Sequence, residues 1–276
     1  MDGKRLRALV LSVLLGCTLG AGAASPETDA TSAPAQPDLV KAANAPISEV
    51  FQLRIQDSYV PEFDRLRGSG NTVTIGVNMP LPKYRLLPFP QLSVVTIPAA
   101  ITVPNGSTGF GDVRFLDIAV LDAGHDLLFG VGPSLVFPSA TGSTMGQGKW
   151  QAGPAAAIAY VPKRWLIGLL VQNPVSFAGD RDRADANALV LQPFITYQLG
   201  SGWFLRSQPI MVLDWKSGQQ LIPIGLGMGR VFDVAGQHVS CFVEPFWNVA
   251  HDGPAPTYGI TVGLALLYPG FWRGSR

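Results

Sequence analysis

Side chains that build many functional sites are scarce in this chain of 276 residues. It has two cysteines and three histidines, and no cluster of His, Cys and carboxylate residues has the spacing of a transition-metal site. Charged residues make up only 14% of the chain and their formal sum is +1, so the sequence offers no basic stripe for nucleic acid. We therefore predict no metal, no other cofactor and no nucleic-acid partner.

Long apolar runs are also missing beyond the N-terminus, which excludes a membrane protein built from helices. A basic start, an apolar stretch and a group of small residues are typical of a secretory signal peptide over residues 1–24. Cys17 lies in the apolar stretch, and whether it is lipidated stays open. Residues 25–46, rich in Ala, Pro, Ser and Thr, predict a flexible periplasmic lead.

The most informative feature that is present is a set of long segments bracketed by aromatic residues of the same parity. The pairs are Trp150 and Tyr160, Trp165 and Phe177, Trp203 and Trp215, and Tyr258 and Tyr268. Side chains on a strand alternate, so each pair shares one face. Ten residues at about 3.3 Å each, tilted by about 40°, cover about 25 Å, which is the height of a membrane barrel's apolar band.

Between these aromatic residues, the positions of the same parity are also apolar, as at Ile167, Leu169 and Val171. The positions of the opposite parity carry a mixture of polar and apolar residues. A barrel that turns its apolar face to lipid and girdles it with Trp and Tyr has this pattern. Residues 47–276 are therefore predicted to be all-β and to form a transmembrane antiparallel up-and-down β-barrel of about 12 strands. Asp117 falls on the outward parity, so either a bulge near it or a different register of the third and fourth strands is expected.

The predicted strands end in connections of two sizes. The strands are 50–58, 71–80, 91–103, 111–121, 127–138, 149–160, 165–177, 187–199, 203–214, 221–232, 237–248 and 257–268. From the fourth strand onward, short connections alternate with longer polar ones. This asymmetry is typical of short periplasmic turns and long outer loops, and it predicts that both termini are periplasmic.

The inward parity carries the side chains that we expect to line the lumen. They are Arg54, Gln56, Asp112, Arg114, Gln151, Gln172, Gln192, Arg206, Gln208, Asp214, Phe242, Glu244 and Phe246. Because both signs of charge occur, these residues either form a constriction that selects by charge or pair with one another and fill the lumen. Bulky apolar residues of the same parity favour an apolar cargo over the water-filled interior of a general porin.

Several segments in one order resemble a known bacterial family. They include residues 108–112 (TGFGD), 132–141 (GPSLVFPSAT), 145–154 (MGQGKWQAGP), 171–180 (VQNPVSFAGD) and 225–232 (GLGMGRVF). This part of the chain is similar to the outer-membrane proteins catalogued under the meta-pathway of phenol degradation, often mislabelled neuromedin U. The resemblance implies an outer-membrane barrel that acts as a channel or transporter, with some members linked by name to aromatic degradation. It carries over no catalytic residues.

Together these features predict an exported, porin-like channel or transporter of the Gram-negative outer membrane, and not an enzyme. We expect it to pass small aromatic or otherwise apolar compounds without coupling to energy, with membrane lipid and lipopolysaccharide around it. Two alternatives stay open. One is a sealed structural or assembly barrel without transport, and the other is an outer-membrane lipid hydrolase that would use His238 and Ser240.

Overall fold

The structure is a computed structural model, and it describes residues 36–45, 50–83, 88–104, 106–269 and 271. The predicted signal peptide, Cys17 and the first part of the predicted lead lie outside the described residues. Within the described ranges, no helix has the length and apolar character to span a bilayer.

The described residues form one helix and sixteen strand segments. The helix is α1 (Gln36–Asn44). The strands are β1 (Phe51–Phe63), β2 (Gly70–Leu81), β3 (Gln91–Thr102), β4 (Thr108–Gly109), β5 (Val113–Asp122), β6 (Leu127–Phe137), β7 (Lys149–Tyr160), β8 (Trp165–Gln172), β9 (Val175–Gly179), β10 (Ala188–Gly200), β11 (Trp203–Ser207), β12 (Met211–Asp214), β13 (Gln220–Gly225), β14 (Gly227–Val234), β15 (Gln237–His251) and β16 (Pro256–Tyr268).

These segments make a closed antiparallel barrel of twelve wall strands. Each strand pairs with its sequence neighbours, and β1 pairs with β16 from Phe51–Tyr268 onward, which closes the sheet. Four wall strands are split into two segments each: β4 with β5, β8 with β9, β11 with β12, and β13 with β14. The predicted fold class and strand number are confirmed.

Proline residues lie in two of these splits. Pro174 lies between β8 and β9, and Pro209 lies between β11 and β12. Proline has no backbone N–H, so it removes a ladder hydrogen bond. The second split matters for the lumen, because the backbone N–H of Gln208, next to Pro209, donates to the Glu244 carboxylate at 2.8 Å instead of to a neighbouring strand.

The barrel is apolar on the outside and polar in much of its interior. Ile167 and Leu264 on the outer face are 40% and 39% exposed, whereas Gln52 and Arg206 on the inner face are 0% and 4% exposed. The exposed aromatic residues Trp150 and Tyr160 of β7 lie on the outer face at opposite ends of their strand. This arrangement is the one that membrane barrels show, and it confirms the predicted orientation of the strands.

The expected bulge at Asp117 is absent from the β3–β5 ladder. The pairs Val94–Leu116, Ser93–Asp117 and Leu92–Ile118 follow one another without a shift. The outward carboxylate of Asp117 instead accepts a hydrogen bond from the Ser93 hydroxyl at 2.7 Å. A neighbouring hydroxyl therefore satisfies the polar group, so the strand does not need to bend.

Helix α1 occupies the end of the barrel that carries the short turns. Those turns include residues 161–164 and 235–236, and the longer connections lie at the opposite end. The helix therefore lies at the end that the sequence predicts to face the periplasm. Leu39, Val40 and Ala43 are buried among inward residues of β11, β14, β15 and β16.

Residues 36–44 of the segment predicted to be a flexible lead are thus helical and packed within the barrel. The physical reason is the spacing of Leu39, Val40 and Ala43, which places three apolar side chains on one face of a helix. That face meets an apolar ring formed by Phe204, Val231, Phe242, Ala265 and Leu267. Burial of both surfaces stabilises a helix that would be too short to persist alone.

Candidate solute-binding cavities in the lumen

The structure gathers most of the predicted lumen residues around two cavities. One, the loop cavity, has a volume of about 380 Å³ and is lined by Asp112, Arg114, Gln151 and Gln172 among others. The other, the phenylalanine cavity, has a volume of about 330 Å³ and is lined by Arg54, Gln56, Gln192, Arg206, Gln208, Phe242, Glu244 and Phe246 among others. Of the thirteen predicted residues, four thus line the loop cavity and eight line the phenylalanine cavity, both inside the barrel. Their role in transport stays a prediction.

Asp214 is the member of the predicted set that lies apart from both cavities. It ends β12, and its carboxylate accepts hydrogen bonds from the Lys216 backbone N–H at 2.8 Å and the Ser217 hydroxyl at 2.9 Å. An aspartate just before a turn commonly caps that turn. The parity of the strand predicted that the Asp214 side chain lines the lumen. Its hydrogen bonds are instead made with residues of the adjacent turn.

The loop cavity is covered by part of the connection between β6 and β7. Residues 144–147 of this connection line the cavity. The carboxylate of Asp112 holds the connection in place, because its oxygens accept hydrogen bonds from the backbone N–H of Ala140 at 3.1 Å and of Gln147 at 2.7 Å. A Cβ atom on Gly146 would lie 2.5 Å from Asp112 Oδ1, so only glycine fits this approach.

A neighbouring outer loop supports the same connection. Arg183 donates from Nε to the Gln147 carbonyl at 3.4 Å, and Lys149 Nζ lies 3.2 Å from Asp185 Oδ1. A hydrogen bond from Lys149 and its positive charge hold the pKa of the Asp185 carboxyl below its ordinary value. The two loops are therefore linked by an ion pair and by backbone contacts above the loop cavity.

A buried ion pair forms the polar core of the phenylalanine cavity. Arg206 Nε donates to Glu244 Oε2 at 2.7 Å, and both side chains are less than a tenth exposed. The guanidinium also donates to Asn44 Oδ1 at 3.1 Å and to Gln208 Oε1 at 2.8 Å. Its central carbon lies 3.7 Å from the centre of the Phe242 ring, within the range of a cation–π contact. The hydrogen-bonding capacity of Arg206 is thus largely used within the protein.

Arg54 differs from Arg206 in its surroundings. Its Nη2 donates to Gln52 Oε1 at 3.1 Å, which is a neutral amide oxygen. Among the described residues, no carboxylate lies within ion-pair distance of Arg54. The cavity therefore contains two guanidinium groups and one carboxylate.

Asn44 of α1 is a contributor to this site that the sequence did not reveal. Its side chain accepts from Arg206, and its backbone carbonyl accepts from Gln208 Nε2 at 2.6 Å. The apolar spacing of Leu39, Val40 and Ala43 is the signal that predicts a helix here, although it does not predict insertion into the lumen.

The pair considered for a hydrolase lies elsewhere, at the start of β15, beside a short turn. His238 Nδ1 pairs with the carboxylate of Asp233 across the short turn. Ser240 is 4% exposed, and the described hydrogen bonds include none between His238 and Ser240. In the described part of the chain, no three His, Cys, Asp or Glu side chains are grouped to hold a metal ion.

Comparison with solved structures places the fold among outer-membrane barrels. An outer membrane channel from Pseudomonas putida F1 aligns with a TM-score of 0.58 and 11% identity over 82% of this chain and 97% of that chain. The NanC porin aligns with a TM-score of 0.50 and 8% identity over 79% of this chain and 98% of its own. A scan against models of protein families and a search of curated proteins find no match. At these identities the likeness concerns the fold alone.

Proposed function

We propose that this protein is an outer-membrane channel for the passive passage of small aromatic or otherwise apolar compounds. The lipid-facing exterior and the likeness to outer-membrane channel and porin barrels support the location and the general role. The family resemblance of the sequence points to the same kind of solute.

The observation that carries the proposal is the lining of the phenylalanine cavity. Phe242, Phe246 and Ile210 contribute apolar surface, and Gln56 and Gln192 contribute amides. Small-molecule sites typically combine mainly apolar walls with a few polar groups that orient the ligand. A volume of about 330 Å³ lies at the lower end of the usual range for such sites, which fits a small compound.

Passage through the barrel requires α1 to move. Both cavities extend toward the long loops, since Gln147 and Asn248 line them, whereas α1 and its apolar partners occupy the periplasmic end. The helix is held by Leu39, Val40 and Ala43 and by the hydrogen bonds of Asn44. In this proposal α1 is a plug whose displacement opens the lumen.

Swelling of proteoliposomes in isotonic solute tests the proposal. Phenylalanine and glutamine suit this test because both are zwitterions that cross lipid poorly, and one has an aromatic side chain where the other has an amide. We expect vesicles with the full-length protein to swell faster in phenylalanine than in glutamine. A Leu39→Asp variant, whose plug is weakened, should raise both rates and keep the order.

The same experiment separates the channel from a sealed barrel. The sealed alternative has some support, because two buried apolar clusters fill parts of the lumen, one around α1 and one that includes Leu92, Ile118 and Leu170. A sealed barrel would leave swelling at the rate of protein-free vesicles for the wild type and for Leu39→Asp. That outcome would contradict the proposal.

A lipid hydrolase is the less favoured alternative, since Ser240 is buried and lies at the periplasmic end. Lipid turnover that is lost on Ser240→Ala would support it. Turnover at the background level in the wild type would exclude it.

A further inference from the structure

The phenylalanine cavity has an unequal count of opposite charges. Glu244 is its carboxylate, and both oxygens are occupied: Oε2 accepts from Arg206 Nε at 2.7 Å and Oε1 accepts from the Gln208 backbone at 2.8 Å. Arg206 is in turn held by Glu244, Asn44 and Gln208. The pair Arg206–Glu244 is therefore internally neutral, and the charge of Arg54 remains.

The second guanidinium increases the need for a negative partner. Arg54 and Arg206 line the same cavity, and their positive charges act on one another. The hydrogen bond from Arg54 to the Gln52 amide satisfies one donor but brings no negative charge. Arg54 is half-buried. A guanidinium that is partly removed from bulk water without a counter-charge is costly, and an anion placed beside it recovers part of that cost.

The groups around Arg54 define what the anion must look like. A guanidinium presents a planar fork that matches the two oxygens of a carboxylate. Phe246 is half-buried and offers ring surface to the cavity for an apolar body, and Gln56 and Gln192 offer amide groups. The ring of Phe242 is 6% exposed and is covered by Arg206, so it forms the floor of the cavity. A highly charged or large anion fits less well, because the cavity has one unbalanced positive charge and about 330 Å³ of space.

We infer that the phenylalanine cavity binds a small aromatic monocarboxylate, with its carboxylate on Arg54 and its ring against Phe246. The inference rests on the proposed function, because it names the solute class of the same lumen. It makes Arg54 the residue that selects for charge and Phe246 the residue that selects for an aromatic ring.

Calorimetric binding to the full-length protein in detergent tests the inference with three planar probes of one shape. Benzoate is an anion, benzamide is neutral and benzamidine is a cation at neutral pH. The wild type should bind benzoate about 10-fold or more tightly than benzamide, because hydrogen bonds to a charged group are stronger than those to a neutral one. Benzamidine should bind least. Acetate, which lacks the ring, should bind more weakly than benzoate.

Three variants locate the site, two of which each remove one positive charge. Arg54→Gln should reduce benzoate affinity to that of benzamide, and Arg54→Lys, which keeps the charge but loses the fork, should be intermediate. Arg164→Gln removes the same charge from an exposed periplasmic turn outside the cavity and should leave the benzoate preference unchanged. Heat-dependent mobility on gels checks that each variant folds. If Arg54→Gln does not fold, the affinities of benzoate and benzamide for the wild type still test whether the cavity prefers an anion.

Equal binding of benzoate and benzamide to the wild type would overturn the inference, and so would a benzoate preference that survives Arg54→Gln. Acetate that binds as tightly as benzoate would overturn the aromatic part. These results are distinct from a failure of the channel proposal, which appears as absent swelling in phenylalanine and glutamine whatever the probes bind.

Discussion

Asn44 of α1 and Arg206 of β11 are 162 positions apart in the chain and are joined by a hydrogen bond of 3.1 Å inside the barrel. Because Arg206 also binds Glu244, the helix and the buried ion pair of the lumen form one network. Movement of the helix therefore removes a partner from the side chain that lies at the centre of the phenylalanine cavity.

Weakening the apolar contact of α1 should open the barrel. Leu39→Asp places a carboxylate among the apolar side chains of Phe204, Val231 and Leu267, so the helix should leave its site more often. We expect a higher mean ion conductance in planar bilayers than that of the wild type. Asp38→Asn changes an exposed side chain of the same helix and should leave the conductance unchanged. Equal conductance of Leu39→Asp and the wild type would contradict the role of α1 as a plug.

Breaking the buried ion pair should destabilise the barrel. Glu244→Gln keeps the shape of the side chain but leaves Arg206 buried without its counter-charge, which typically costs about 3–5 kcal/mol. Denaturant unfolding followed by tryptophan fluorescence measures the loss of unfolding free energy. Adding Arg206→Gln to the variant should recover part of it.

An exposed ion pair provides the control for this prediction. Arg65 and Asp64 are 71% and 39% exposed, so Asp64→Asn should change the unfolding free energy by only about 0–1 kcal/mol. If Glu244→Gln costs no more than Asp64→Asn, the buried pair contributes less than the structure indicates.

The outer and inner faces should differ in their tolerance of charge. Leu264→Arg places a guanidinium on the lipid-facing side, where such changes cost about 2–4 kcal/mol near the bilayer midplane. Gln172→Arg places the same group in the lumen at the loop cavity, where Asp112 and Arg114 contribute opposite charges, and should cost much less. Folding titrations in lipid vesicles give both values, and a lumen variant as unstable as the lipid-facing one would argue against the assigned faces.

The barrel could be predicted from the sequence because its signal is local and repeated. Alternation along a strand and the aromatic ends depend on neighbouring positions, so twelve wall strands follow from them. The ends were less accurate: the first strand was predicted to end at Ser58 and continues to Phe63. The splits at Pro174 and Pro209 within predicted strands also reflect backbone pairing that alternation does not report.

The candidate site could be predicted only in part. Parity identified Arg54, Arg206 and Glu244 as inward residues, but it could not show that Glu244 pairs with Arg206 and not with Arg54. Asn44 was missed because its role depends on a helix that the composition of the lead does not suggest. Residues 144–147 were missed because loop placement depends on distant partners such as Asp112 and Arg183.

Cysteine modification during current recording tests most directly whether solutes pass along the assigned lumen. Gln192→Cys places a thiol in the phenylalanine cavity, and Ile224→Cys places one on the outer face, where Ile224 is 50% exposed. We expect a methanethiosulfonate reagent to lower the current through Gln192→Cys and to leave Ile224→Cys at the treated wild-type level. An unchanged current through modified Gln192→Cys, or an equal loss in both variants, would contradict this expectation.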